Sequence, residues 1–262
     1  MFTQREQVPG KGNWAKFDET VNIFPSGDLP EDTKPFAIPL KRGWNEIGNP
    51  WLVDLIWDLE AIQVQVGNET RPLMNARGII EPYAWRWNGN AYQLVFDSNF
   101  IPNVDNKIHA WEGAWVYAWQ DCNLILPAPE GNRSRKTRLA GKKPEGWFAS
   151  LVAQVDGQEG KGFFGVSPTT RLQISQPPSP PESQNNQKVQ VLFLDKNGNS
   201  TVADFRTGLG QRQEWEVLVE FGTRDEGRGT RQSREVTLNF DGVGYAPKDV
   251  SLWLVDMVTG KR

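Results

Sequence analysis

Gly43-Trp44-Asn45-Glu46-Ile47-Gly48-Asn49-Pro50-Trp51 packs two aromatic anchors at its ends, two glycines and a proline into nine residues. Glycine admits positive φ and close backbone approach, and a residue before proline is pushed out of the helical region. Residues 35–40, just upstream, have strand composition. The stretch therefore reads as a strand that turns sharply and drops Trp44 and Trp51 into one core. It is a signature of folding rather than of catalysis.

Outward from it, the chain punctuates itself as a short-stranded β protein does. Ile62-Gln63-Val64-Gln65-Val66 alternates with period two, the mark of a half-buried strand. Residues 83–87 and 91–96 flank Asn88-Gly89-Asn90, and Asn-Gly is the preferred pair for a tight hairpin turn. Alternation sets Tyr83, Trp85 and Trp87 on one face of that hairpin, and Trp115, Tyr117 and Trp119 on one face of the next strand. A strand at 123–126 closes at Pro127. Upstream, 13–17 and 20–24 read as short strands. The apolar spacing in 52–61 suits a short buried helix or an irregular crossover, and 70–78 suits one or two helical turns.

The chain has 262 residues, enough for two domains with separate cores. Between Pro127 and Lys143 the composition turns polar and basic, with Arg133, Arg135, Lys136, Arg138, Lys142 and Lys143. We read 1–129 as a Trp-rich β domain, 130–146 as a basic polar linker and 147–262 as a second β domain. The second half offers strands at 147–155, 162–166, 189–194, 201–205, 215–221, 236–240 and 252–257, at the spacing of a sandwich. The Pro-rich run 175–187 does not fit a sheet interior. The expected fold is all-β, two tandem antiparallel β-sandwich-like domains of immunoglobulin or jelly-roll type.

The totals narrow the function classes. A net charge of −3 argues against a general affinity for nucleic acid. Cys122 is the only cysteine, which excludes an internal disulfide and a cysteine-built metal cage. No run has the length of a transmembrane helix, and residues 1–30 lack the apolar core of a signal peptide. If the parent protein is exported, its signal is expected upstream of this sequence.

Gly43–Trp51 resembles the Gly-Trp-Asn-Leu-Ile-Gly-Asn-Pro-Phe signature of modules near the C-terminal ends of large secreted or cell-surface bacterial proteins. Gly10-Lys11-Gly12-Asn13-Trp14 stands where those modules carry Gly-x-Gly-Tyr-Trp, and 110–118 followed by 124–127 matches a second such stretch with its Leu-x-Leu-Pro strand. The Gly-x-Trp element, at Trp14 and Trp115, would then mark two repeats. Trp147, Gly165-Val166, the Pro-rich run and the Leu-Val-Asp-x-x-Thr-Gly ending at Gly260 are similar to the β-sandwich that follows in such proteins. The resemblance implies export, an extracellular or cell-surface location and a β architecture. It brings no catalytic residue, and Glu46 and Asp54 are more polar than the signature leads one to expect.

The candidate sites each have a plainer reading. His109 is the sole histidine, so a hydrolytic triad or a histidine metal site would rest on it; strand entry explains it equally well. Paired carboxylates such as Asp54 and Asp58 are expected by coincidence among 32 acidic residues. Asp195, Asn197 and Asn199 open like a calcium loop but lack its later Gly and Glu, and a hairpin turn at Asn197-Gly198 suits them better. Arg133, Arg135, Lys136 and Arg138 would suit an anionic polymer or a solvated linker. Trp85, Trp87, Trp115 and Trp119 have the spacing of a sugar-stacking platform and equally of a packed core, and core packing is the preferred reading.

The expectation is a non-enzymatic structural, adhesive or self-assembling module that uses no cofactor. Its partners would be copies of itself or other surface proteins, through open sheet edges such as 62–66. The alternative is a carbohydrate-binding module whose partner is a polysaccharide.

Overall fold

The computed structural model describes residues 8–14, 19–20, 22, 28–87, 92–98, 104–129, 147–166, 172–174, 188–208, 210–222, 235–242, 246 and 248–260. The described elements are strands and one 3-10 turn, so the fold is all-β as the punctuation predicts. The expected hairpin turn 88–90, the basic run 133–143 and the Pro-rich run 175–187 lie outside the described residues. The backbone divides into two compact units, the first carrying strands from 36 to 126 and the second strands from 147 to 241.

The first unit comprises β1 (Phe36–Leu40), β2 (Gly43–Gly48), β3 (Leu55–Ile56), β4 (Gln63–Val66), β5 (Glu69–Pro72), a 3-10 turn (Leu73–Asn75), β6 (Ala84–Trp87), β7 (Tyr92–Val95), β8 (Lys107–Ile108), β9 (Gly113–Ala118) and β10 (Cys122–Leu126). One sheet has the order β1-β10-β4-β5, a second β2-β9-β6-β7, and β3 pairs with β8. β1 to β2 and β9 to β10 switch sheets at the same corner. Asn45 pins it, accepting from Lys41 N at 2.9 Å and donating to Lys41 O at 2.7 Å, while Asp121 accepts from Arg42 N at 2.9 Å. Gly43 holds φ 104 there, a backbone that a Cβ would strain.

Asn49 pins the exit from the opening stretch. Its amide donates to Val53 O at 2.8 Å and Ile108 O at 3.0 Å, and its oxygen accepts from Trp51 N at 3.0 Å. Both asparagines are thus corner pins. The two tryptophans do not share a core as expected. Trp51 is buried against Phe36, ring centroids 6.4 Å apart, whereas Trp44 lies half-buried against Tyr117 at 5.2 Å. Strand alternation explains the separation, because Trp44 and Ile47 sit on opposite faces of β2 and Ile47 takes the core side.

Of the two readings of 52–61, the irregular crossover forms and the helix does not: Leu55 and Ile56 pair with β8, and Asp58 turns the chain by accepting from Glu60 N and Ala61 N at 2.9 and 2.8 Å. Two other expectations are corrected. Residues 70–78 spend three positions in β5 before a single 3-10 turn. β4 lies between β10 and β5, so it is an interior strand and offers no free edge. Trp57, fully buried, anchors the core and donates its indole N–H to Pro82 O at 2.9 Å.

The second unit comprises β11 (Trp147–Val155), β12 (Gln158–Val166), β13 (Leu172–Ile174), β14 (Lys188–Leu194), β15 (Ser200–Thr201), β16 (Ala203–Arg206), β17 (Glu216–Gly222) and β18 (Thr237–Asp241). Sheet β13-β16-β12-β11-β18 faces sheet β15-β14-β17 in a β-sandwich-like arrangement. Trp147, Leu151, Phe164, Val191 and Phe193 fill the space between. Glycine permits the close approach of β12 and β14, since a Cβ on Gly160 would lie 2.4 Å from Val189 O. β16 runs parallel to β12, and the other pairings are antiparallel.

The strand expected at 252–257 does not form. Val250 and Leu252 pack on the core, but residues 251–255 join no ladder. Asp256 ends the segment in a turn, its carboxylate accepting from Val258 N at 2.8 Å and from the Thr259 hydroxyl at 2.8 Å.

Candidate functional site

Alternation gives sheet β2-β9-β6-β7 two unlike faces. Ile47, Ala84, Val95, Ala114, Val116 and Ala118 occupy one face and are all buried. The register sets Trp44 beside Tyr117, Glu46 beside Trp115, Trp115 beside Trp85, and Trp87 beside Tyr92, all on the opposite face. Small and branched side chains therefore fill one face, and the aromatics gather on the other, where Trp85 and its neighbour Leu94 are buried. The preferred reading of the tryptophans as core is only partly met: Trp85 is 3% exposed, Trp87 and Trp115 are half-buried, and Trp119 is 48% exposed.

The rings meet edge to face, the favoured arrangement of aromatic quadrupoles. One run is Trp44, Tyr117 and Trp119, with centroids 5.2 and 4.9 Å apart. Another is Trp14, Trp87 and Tyr92, with centroids 6.1 and 5.0 Å apart. Trp119 is fixed by its indole N–H, which donates to Glu81 Oε1 at 2.8 Å. Burial raises the Glu81 carboxyl above its ordinary value, against the pull of that hydrogen bond and of the Arg77 charge.

Trp14 arrives on a segment that flanks β2. Gly12 N donates to Glu46 O at 3.1 Å, and Gly48 N to Gly10 O at 3.0 Å. Gly12 has no room for a side chain: a Cβ would stand 2.6 Å from Glu46 Cγ and 2.8 Å from Ile47 O. Glu46 is half-buried beneath it, and that burial raises its carboxyl above the usual range. Burial likewise pushes the Tyr92 hydroxyl up to about 12; the neighbouring Trp115 indole lowers it and the Glu46 charge adds to the rise. Among the described residues the buried Trp14 indole N–H has no hydrogen-bond partner, whereas the buried Trp115 indole has the Tyr92 hydroxyl beside it.

The remaining candidates fall elsewhere. His109 Nδ1 lies 3.0 Å from Asp54 Oδ1, and Lys107 Nζ 3.1 Å from Asp54 Oδ2. Those bonds, His109 foremost, hold Asp54 below the ordinary carboxylate range. The pair is exposed, and among the described residues no hydroxyl bonds to His109. Asp195 uses its carboxylate within its own turn, accepting from Asn197 N and Asn199 N at 2.8 Å each and from the Asn199 amide at 2.9 Å. No group of three or more His, Cys, Asp or Glu placed for a metal occurs among the described residues. Arg133, Arg135, Lys136 and Arg138 lie outside those residues.

Sequence reading missed Glu46, Trp14, Trp44 and Glu81 as members of the aromatic face. The alternation of β2 carried the signal for Trp44 and Glu46, but their neighbours depend on pairings between strands far apart in the chain. It also missed Trp111, 69% exposed and held at φ 67, a left-handed backbone unusual for a bulky residue.

Comparison with protein-family models, curated proteins and solved structures finds no match for this chain.

Proposed function

We propose that the chain is a non-catalytic adhesive module of an exported bacterial surface protein, holding polysaccharide on the aromatic face of sheet β2-β9-β6-β7. One observation carries this reading: on the face opposite Ile47, Ala114, Val116 and Ala118, the rings of Trp44, Tyr117 and Trp119 form a row that ends at the exposed Trp119. Sugar rings present apolar C–H faces that stack on indoles, and a few fixed polar groups set their orientation. Glu81 supplies such a group beside Trp119, since its second carboxylate oxygen stands next to the one that holds the indole. The bacterial surface setting rests on the resemblance of Gly43–Trp51 to the export-associated signature.

Native electrophoresis through gels containing soluble polysaccharides tests the reading. Retardation of the wild-type chain by at least one polysaccharide, lost in Trp119→Ala with unchanged melting, supports it. Equal mobility in every gel overturns it.

A second reading, self-assembly, is favoured by the second unit. Among the described residues β17 ends its three-stranded sheet, and Trp253, Met257 and Val258 are 69%, 87% and 94% exposed on a segment outside any ladder. Unpaired edges and exposed apolar chain invite strand addition by another copy. Sedimentation at rising concentration tests it, and a constant monomer mass defeats it.

A further inference from the structure

Among the described residues two that are not glycine hold a left-handed backbone, Asp156 at φ 49 and Trp111 at φ 67. Asp156 is explained by its place. It precedes Gly157 in the tight turn between β11 and β12, where both central residues need positive φ and aspartate tolerates it. Trp111 lacks that explanation. For so bulky a residue the conformation is a genuine outlier, and the ring gains no burial in return, being 69% exposed. A strained backbone persists only where the surrounding structure imposes it.

The turn is held at both ends. Glu112 N donates to His109 O at 3.1 Å, closing four residues with Trp111 in the third place, where a positive φ ordinarily calls for glycine. At the far end the Glu112 carboxylate accepts from His109 N at 3.0 Å and from the buried Arg86 guanidinium at 3.1 Å. Asn49 N adds a bond to Glu112 O at 3.1 Å. At the near end the Asn49 amide grips Ile108 O at 3.0 Å, and the His109 ring reaches the segment before β3, its Nδ1 3.0 Å from Asp54 Oδ1.

One of these holds depends on a proton. Arginine keeps its charge throughout, whereas histidine is the side chain that ordinarily titrates between pH 5 and 8. The charged groups around His109 among the described residues are Asp54, Lys107 and Glu112 with its Arg86 partner. Asp54 and Glu112 attract an imidazolium, and Lys107, 3.1 Å from the second Asp54 oxygen, opposes it. Asp54 is held below the ordinary carboxylate range, by His109 foremost, so it is ionised whenever histidine changes its charge. Protonated His109 meets it charge to charge, and neutral His109 offers at most an ordinary hydrogen bond.

We propose that residues 109–112 form an acid-held display turn, in which protonated His109 bound to Asp54 keeps Trp111 projecting and loss of that proton releases it. The hold is complete at the acid end and is lost as pH rises through the histidine titration. The device stands apart from the polysaccharide reading, in which Trp111 has no part.

The chain labelled with 5-fluorotryptophan gives one 19F resonance for each of its twelve tryptophans, and the Trp111 signal is the one missing from Trp111→Phe. Between pH 5 and 8 that signal should move in a single one-proton transition. It should move less in Asp54→Asn and not at all in His109→Gln, while the remaining resonances keep their wild-type dispersion and report an intact core. A Trp111 signal that stays still in the wild type overturns the proposal, as does one that moves equally in either variant. Thermal melts at the acid end test the strain without touching the latch. Trp111→Gly should melt above Trp111→Ala, the reverse of the usual order, because a left-handed backbone suits glycine. If Trp111→Ala melts at or above Trp111→Gly, the turn stores no strain and the display device is overturned.

Discussion

Gly12→Ala should loosen the segment that carries Trp14, by an amount the geometry sets. The new Cβ would stand 2.8 Å from Ile47 O and 3.1 Å from Ile47 C, where ordinary contact begins near 3.4 Å. Against the oxygen the shortfall is 3.4 minus 2.8, or 0.6 Å, and the obstacle is backbone that cannot swing aside. The contact with Glu46 Cγ at 2.6 Å is relieved more easily, since that side chain has rotamers. The segment must therefore lift from β2, weakening Gly12 N to Glu46 O at 3.1 Å and Gly48 N to Gly10 O at 3.0 Å. Two such bonds, at roughly 0.5–1.5 kcal/mol net each, give a loss of about 1–3 kcal/mol. Denaturant unfolding followed by intrinsic fluorescence measures the loss. Repeating it with Trp14→Phe gives a double-mutant cycle, in which Trp14→Phe should cost less once the segment has lifted. If Gly12→Ala unfolds within about 0.5 kcal/mol of wild type, the segment that carries Trp14 does not lie on β2.

Glu46→Gln should stabilise the chain increasingly as pH rises. Burial raises the folded Glu46 value above the unfolded one. Its contribution is therefore fully present below the unfolded value and lost as pH climbs through the folded value. The variant should match wild type at the acid end and exceed it toward neutral pH in urea melts; a pH-independent difference would contradict this. Tyr92, at about 12, does not titrate in that range. Arg86→Met should cost about 3–5 kcal/mol, because the buried guanidinium binds Asp105 at 2.6 Å, Gln93 at 2.7 Å and Glu112 at 3.1 Å, and both carboxylates would lose their counter-charge. A cost below about 1 kcal/mol would refute that balance. Millimolar calcium should leave thermal unfolding unchanged, since the Asp195 carboxylate is engaged by its own turn; a rise in Tm abolished by Asp195→Ala would restore the calcium reading.

The fold was readable where local chemistry dominates. β11 occupies the residues expected of it, and the aromatic alternation of β6 and β9 predicted which side chains share a face. Local pattern misled where pairing partners decide. Residues 62–66 look like a free edge, yet β5, next in the chain, and β10, from the far end of the first unit, enclose them. Residues 252–257 have the apolar composition of a strand, yet no ladder receives them. Of the two asparagines of the opening stretch, Asn45 pins its own corner through Lys41 and Gly43, whereas the role of Asn49 emerges only when Ile108 comes alongside. The aromatic site was half legible for the same reason. Trp85, Trp87, Trp115 and Trp119 announced themselves by spacing, whereas Glu46 and Trp14 join them through contacts between β2, β9 and a segment more than thirty residues upstream.

The aromatic face is tested most directly by acrylamide quenching of tryptophan fluorescence. Trp111, Trp119 and Trp253 are the exposed indoles among the described residues, at 69%, 48% and 69%. In a Trp111→Phe, Trp253→Phe background, Trp119 should dominate the quenchable signal. Addition of the polysaccharide that retards the chain in gels should then suppress quenching, by shielding that ring. Quenching that no polysaccharide in a panel of neutral and acidic chains reduces would contradict the account, and leave assembly through the second unit as the function to pursue.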